Sequence, residues 1–386
     1  MRRRNKILIV LAIGVLAVWA FAGRILAPYF NPVLKPPPYG ASERARALHA
    51  KLFIADLHAD SLQWPRDLLA RSSWGHVDLP RMEEGNEALQ VFTVFNRIPL
   101  HISIERNTSG FDGMIPLAIL GLWPTTTWFS PHRRALYQAD HLAQLCERSA
   151  GKMICIRNQS DLARFLAARE KDPRVIGAIL GMEGAYPFED QPAALDEMDH
   201  AGFRVVGLTH FLDNDFAGSA HGALKGGLTP AGRELVAGLE KRHIIIDLAH
   251  ASPKTINDVL ATATRPVLVS HTGVRGVCNN TRNLSDEQLR NIAGRSGLIG
   301  IGFWAVAICG TDAAAIGRAI RLAADVAGAD HIALGSDFDG AIAAPFDATG
   351  LVQITDALLA QGFTDDQIAG IMGGNALRFF RTSLPQ

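Results

Sequence analysis

The sequence is poor in cysteine: four residues in 386, at positions 146, 155, 278 and 309, none of them in CxxC spacing. That pattern gives no sign of a cysteine zinc site or a redox dithiol, and it does not reveal how the four would pair. Net charge is absent too, with 38 Lys and Arg against 38 Asp and Glu, so no basic bias marks nucleic acid as a partner. There is no solenoid-type repeat and no low-complexity tract. What remains is a chain that is 48% hydrophobic, globular in composition and long enough for one large domain or two medium ones.

The charge balance is uneven along the chain. Residues 1–35 hold six basic residues and no acidic ones, which leaves 32 basic against 38 acidic for the body. The start, "MRRRNK", leads into the uncharged run "ILIVLAIGVLAVWAFAG", then Arg24 and the proline-rich "NPVLKPPPYG". The run is near the roughly 17-residue minimum for a membrane-spanning helix and longer than an ordinary signal-peptide core. Residues 1–24 are therefore expected to be an uncleaved anchor and 25–48 a linker; a signal peptide cleaved after "AFA" at 20–22 is the rival. In both cases the positive-inside rule keeps Arg2, Arg3, Arg4 and Lys6 in the cytoplasm and sends the body to the periplasm or exterior.

Beyond the linker, short apolar runs rich in β-branched residues alternate with amphipathic stretches, the pattern of a parallel sheet with crossover helices. Eight such runs occur, at 52–58, 89–95, 174–183, 204–210, 243–250, 266–271, 298–304 and 331–337. Eight is the number that closes a parallel barrel, so residues 49–386 are expected to form a (β/α)8 TIM barrel. Residues 97–173 exceed a normal connection and are expected to add helices beside the mouth, and the C-terminal stretch from Thr364 reads as a helix pair on the outer ring.

Six of the eight runs end in a titratable side chain: His58 with Asp60, Glu183, His210, His250, His271 and Asp337. In such a barrel the strand ends converge on one rim, where the loops build the active site. Imidazoles and carboxylates together suit zinc or a similar divalent ion. There are too many for one tetrahedral ion, which suggests two metals sharing a carboxylate. His58 and Asp60, two apart on an extended segment, face the same way. Any single strand-end histidine is more often a hydrogen-bonded core residue than a ligand, and Asp60 or Asp339 could serve a turn. Glu183 and Asp337 are harder to explain that way, because a carboxylate closing a buried strand needs a partner. The other nine histidines do not end a strand and are read as structural.

The motifs "DLHAD", "GMEGA", "GLTHF", "DLAHAS", "SHTG", "RNLSD" and "GSDFDG", in this order, resemble the membrane dipeptidase (renal dipeptidase) family of binuclear zinc peptidases over about residues 50–380. The resemblance implies an amidohydrolase-like barrel with two Zn2+ per chain: one on His58 and Asp60, one on His250 and His271, with Glu183 between them. It implies that His210 steadies the oxyanion, that Asp337 passes the proton of the attacking water to the leaving amine, and that Arg282 clamps the substrate carboxylate. The expected activity is hydrolysis of dipeptides, including those with a D- or dehydro-residue at the C-terminal position, by a metal-bridged hydroxide. The expected partners are small dipeptides and the membrane, not nucleic acid, with homodimer formation open. Trp304 stands near a family tyrosine, and the segment "FLDNDFAGSAHG" after His210 also departs from the pattern, although its Asn214 could line the substrate pocket.

Two other readings stand beside this one. A binuclear lactonase, phosphotriesterase or deaminase would start from HxH and use a carbamylated lysine as bridge, where this chain has His58-x-Asp60 and Glu183. A catalytically silent binding protein or a natural-product maturation factor would have little use for Asp337 and His210.

Overall fold

The computed structural model describes residues 23, 25–108, 110–189 and 194–386. The expected anchor at 1–24 therefore lies outside the described residues apart from Gly23, and no helix among the described ones is long and apolar enough to cross a membrane.

Among the described residues nine strands form: β1 (Ile54–Ala59), β2 (Glu87–Phe92), β3 (Met153–Cys155), β4 (Ile176–Met182), β5 (Phe203–Gly207), β6 (Ile245–Asp247), β7 (Leu268–Thr272), β8 (Leu298–Ile301) and β9 (Ile332–Leu334). The pairing order is β2-β1-β9-β8-β7-β6-β5-β4, and a further β2–β4 ladder closes eight parallel strands into a barrel. Each of the eight apolar runs supplies one of these. The ninth strand, β3, was not expected. It pairs through Met153–Cys155 with Ile176–Ala178, the first part of β4, where β5 has not yet joined. Three residues are too few to show a period of two, which is why the sequence does not reveal it.

The crossover helices start where their caps dictate. Thr229 and Ser252 each accept a hydrogen bond from the backbone N–H three residues on, with proline at the first helical position, and Ser285 with Gln288 closes a capping box. The long segment after β2 carries helices at Met114–Leu120, Pro131–Arg148 and Gln159–Lys171 as well as β3. Two disulfides are present, Cys146–Cys155 and Cys278–Cys309.

Two apolar layers hold the barrel. Between strands and outer helices lies the larger cluster, including Ile54, Phe203, Val269, Ile299 and Ile320. A second cluster draws one or more side chains from every barrel strand, among them Ala55, Val91, Ile179, Val205, Ile245 and Ala333. Only the interior of a closed cylinder lets all eight strands meet in this way. Ala376, Phe379 and Phe380 of the last helix, Asn375–Ser383, belong to that inner cluster. The last helix therefore closes the floor of the barrel, where the sequence pattern had suggested a place on the outer ring. With the floor filled, the opposite end is the open one.

Candidate metal centre and active site

Every expected strand-end residue lies at that open end. His58 is in β1 and Asp60 just beyond it; Glu183 follows β4; His271 is in β7; His210, His250 and Asp337 each stand three residues past β5, β6 and β9. Glu183 is held by its own backbone, whose N–H donates to Val94 O at 2.9 Å. The chain then turns at Gly184, where φ is +86° and a Cβ would meet the Tyr186 ring at 2.3 Å, so glycine is required. His250 and Asp337 also hold left-handed backbone, with φ 61° and 62°. Non-glycine residues in this region are uncommon, and they gather at functional sites because the surrounding structure must hold them there.

The side chains converge on one carboxylate. Nε2 of His250, His271 and His58 lies 2.9, 3.3 and 3.9 Å from Glu183 Oε1, and His210 Nε2 lies 3.2 Å from Oε2. Nε2 of His250 and His271 are 3.0 Å apart. Asp60 Oδ2 and Asp337 Oδ1 stand 3.5 and 3.9 Å from His58 Nε2. Three overlapping groups thus bring ligand atoms within 4.8 Å of one another: His58, Glu183 and His271; Glu183, His210 and His250; His58, Asp60 and Asp337.

Burial makes this cluster costly without a cation. His58 Nε2, Asp60 Oδ1 and Glu183 Oε1 are buried with no hydrogen-bond partner, and each such atom carries a desolvation penalty of roughly 1–3 kcal/mol or more. Burial, reinforced by the Arg282 charge, holds His250 well below the ordinary histidine pKa. His271 is lowered by burial and then by His58 and Arg282, and His210 by burial and its neighbouring histidines. All three are therefore neutral and offer a lone pair. Burial pushes His58 down as well, but the carboxylates of Asp60 and Glu183 outweigh it and hold its pKa at about 10. Burial raises Glu183 well above the carboxylate range against the pull of His58, and takes Asp337 to about 8. A set of neutral imidazoles and displaced carboxylates, with unpartnered atoms aimed at one point, fits divalent cations.

The outer shell fits as well. Ser270 Oγ lies 3.0 Å from Nδ1 of both His58 and His271. A hydroxyl has two lone pairs and can accept both N–H groups, which turns both Nε2 atoms toward the cluster. Asp247 holds Ser270 in place by accepting its backbone N–H at 2.8 Å.

A cavity of about 560 Å³ opens over the cluster, and Arg282, Trp304, Asp337 and His210 line it. Arg282 is buried, donates from Nη2 to His271 O at 2.7 Å and lies 5.6 Å from the Trp304 ring. Asp286, four residues on, faces Arg290 at 3.9 Å rather than Arg282. The Cys278–Cys309 disulfide joins the loop bearing Arg282 to the chain just after Trp304. Asn214, in contrast, does not line the cavity. Its amide donates to Leu208 O and accepts from the N–H groups of Phe216 and Ala217, so it is spent on its own turn.

One histidine read from the sequence as structural lines the cavity as well. His221 is fully buried; its Nδ1–H donates to Ile104 O at 2.6 Å, its Nε2 has no partner, and its ring lies 5.0 Å from His250. It sits in a loop rather than at a strand end, so no periodicity marks it.

The sequence of residues 42–384 matches the family described as membrane dipeptidase, peptidase family M19. The chain belongs to that family. It is a dipeptidase-type metallopeptidase by membership, and its relatives match over most of the chain. Dipeptidase aclJ of Aspergillus oryzae is 24% identical over 92% of this chain and 85% of its own. An uncharacterized dipeptidase of Schizosaccharomyces pombe is 26% identical over 80% of this chain and 73% of its own. Among solved structures, the M19 metallopeptidase dipeptidase AC superposes with a TM-score of 0.71 at 25% identity, covering 87% of this chain and 99% of that one. A Rhodobacter sphaeroides metallopeptidase, solved with a phosphinate mimic of the dipeptide L-Ala-D-Ala, has the same fold, with a TM-score of 0.71 at 24% identity over 86% of this chain and 99% of that one. Family M19 membership removes the lactonase-type reading, which the His58-x-Asp60 start and the Glu183 bridge position had already disfavoured.

Proposed function

We propose that this M19 peptidase hydrolyses the single amide of a dipeptide with two zinc ions, one held by His58 and Asp60, the other by His250 and His271, and Glu183 shared between them. The observation that carries this is the approach of three imidazole Nε2 atoms to one oxygen of Glu183, at 2.9 to 3.9 Å. When bound, such a pair lowers the pKa of water and polarises a carbonyl oxygen. Asp337, beside His58 and facing the cavity, takes the water proton on a carboxylate oxygen and delivers it to the amide nitrogen, which departs only as an amine. His210, which lines the cavity with its Nε2 3.2 Å from Glu183 Oε2, steadies the negative charge that grows on the carbonyl oxygen. Arg282 receives the terminal carboxylate through two parallel N–H donors.

Arg282 also sets substrate length, because a buried guanidinium that takes the terminal carboxylate leaves no room for a residue beyond it. Acceptance of a D-residue at the C-terminal position is consistent with the phosphinate dipeptide bound by the Rhodobacter sphaeroides relative. We place the chain at a membrane through residues 7–23, with the barrel in an oxidising compartment; the two disulfides and the basic start support this.

The test is a panel of dipeptides and matched tripeptides, assayed with the metal-loaded chain before and after chelation. Dipeptide-only turnover that chelation abolishes is expected, and Arg282→Lys should raise KM roughly 10- to 100-fold by losing the paired donors. Equal turnover of tripeptides would remove the carboxylate clamp.

A further inference from the structure

His221 has no part in the hydrolysis proposed for this site, yet its ring is not that of a satisfied core residue. Its Nδ1 lies 2.6 Å from Ile104 O, and a carbonyl only accepts, so the ring hydrogen stands on Nδ1 and Nε2 carries a lone pair. The side chain is fully buried in the cavity wall, and Nε2 has no hydrogen-bond partner. Nδ1 of His210 and of His250 are unpartnered as well, so neither donates to it. The lone pair is not spent on a cation either, because His221 belongs to none of the three groups whose ligand atoms lie within 4.8 Å of one another. A second proton on the ring is disfavoured, by burial first and by the Arg282 charge next. A buried acceptor in this position costs roughly 1–3 kcal/mol unless something donates to it.

The neighbours of His221 are groups with assigned parts. Its ring lies 5.0 Å from His250 and 4.9 Å from Phe211, and the ring of His210 lies 4.7 Å and 4.5 Å from the same two. Ile104 O, which accepts from His221 Nδ1, also accepts from Thr281 Oγ1 at 3.1 Å, and Thr281 is the residue before Arg282. The backbone fixes the ring there: Ala220 N donates to His250 O, and His221 O accepts from Asn107 N, both at 2.7 Å. His221 thus shares one stretch of cavity wall with the oxyanion group His210 and the carboxylate clamp Arg282. Asp60 and Asp337 stand by His58 instead, so a substrate ammonium belongs on their side, and beside Arg282 it would meet like charge.

We infer that Nε2 of His221 accepts a hydrogen bond from the side chain of the substrate's C-terminal residue, and that the enzyme selects dipeptides in which this residue carries a neutral donor, a hydroxyl or a carboxamide. The inference rests on the dipeptidase reading for its direction: with the scissile carbonyl at His210 and the terminal carboxylate at Arg282, the C-terminal residue is the part of the substrate that spans the two. Its amide nitrogen is engaged by Asp337, which leaves its side chain to meet His221.

The experiment uses pairs of dipeptides of nearly equal shape that exchange a donor for a methyl group: Ala-Ser with Ala-2-aminobutyrate, Ala-Thr with Ala-Val, and Ala-Asn with Ala-Leu, each made with the L- and the D-form of the second residue. With the metal-loaded full chain, the donor member of at least one pair should exceed its isostere in kcat/KM by roughly 5- to 150-fold, the fold-change of one buried acceptor satisfied rather than left bare. In His221→Phe, which keeps a ring and leaves Ile104 O its bond from Thr281, that ratio should fall to within about twofold of one. In His221→Gln, whose carboxamide oxygen can stand near the place of Nε2, the ratio should return in part. Calorimetric binding of the same pairs to the chelator-treated chain should show the same order. A purely structural His221 would lower both members of each pair alike, and a ratio unmoved by His221→Phe overturns the inference. A ratio near one in every pair, in turnover and in binding, overturns it too, while chelator-sensitive cleavage in that case leaves the dipeptidase reading intact. A donor preference in binding that His221→Phe abolishes, without cleavage of any dipeptide, supports the His221 site and overturns the dipeptidase reading instead.

Discussion

Asp337 and Asp339 are two residues apart on one loop, both buried, both in left-handed backbone with φ 62° and 61°. Their surroundings are opposite. Asp339 accepts from Ser61 Oγ at 2.5 Å, from the backbone N–H of His76 at 2.8 Å and of Val77 at 3.3 Å, and forms an ion pair with Arg66. Burial works against its charge, but Arg66 and His76 outweigh that and hold its pKa below the usual carboxylate value. Asp337 instead faces the cavity across from His58, and burial lifts its pKa to about 8. The difference separates a carboxylate that holds the fold from one that can exchange protons: the first has its charge met by fixed donors, and the second is left in demand.

Substitution should divide the two cleanly. Asp337→Asn keeps the shape but cannot carry the proton, so kcat should fall about 10²- to 10⁴-fold with the denaturation midpoint little moved; a steady-state assay beside a urea titration reads both. Asp339→Asn leaves the buried Arg66 charge uncompensated and should cost about 3–5 kcal/mol of stability, seen as a lower midpoint. If Asp339→Asn instead lost activity at unchanged stability, the division of roles would be wrong. A smaller effect sharpens the contrast between held and available atoms. Ser270→Ala removes the acceptor shared by His58 and His271 and should weaken metal binding about 10- to 100-fold, measured by competition with a chromogenic chelator.

The sequence made the barrel legible because each barrel strand is an apolar run, six of the eight ending in a titratable residue, and strand ends in a closed parallel barrel must share a rim. His58, Glu183, His210, His250, His271 and Asp337 meet there, within hydrogen-bonding or near-contact distances. The short strand β3 was invisible for want of a period, and His221 because loop residues obey none. Asn214 misled because a polar residue in a loop near the site has as much reason to bond its own turn as to face a ligand. Cysteine pairing depends on which loops the barrel brings together, as the Cys278–Cys309 link between the loops after β7 and β8 shows. The place of Leu26, Ala27 and Phe30 in the cavity wall was hidden for the same reason, since that segment reads only as a linker until the fold returns it to the cavity.

The most direct test of the shared-carboxylate centre is the divalent metal content of the purified full chain, by mass spectrometry of the eluted ions, beside that of Glu183→Gln. The account predicts close to two zinc per wild-type chain and a loss of at least one on replacing Glu183, with both proteins folded. A folded wild-type chain that holds no divalent ion, or a Glu183→Gln chain that keeps both, would contradict it.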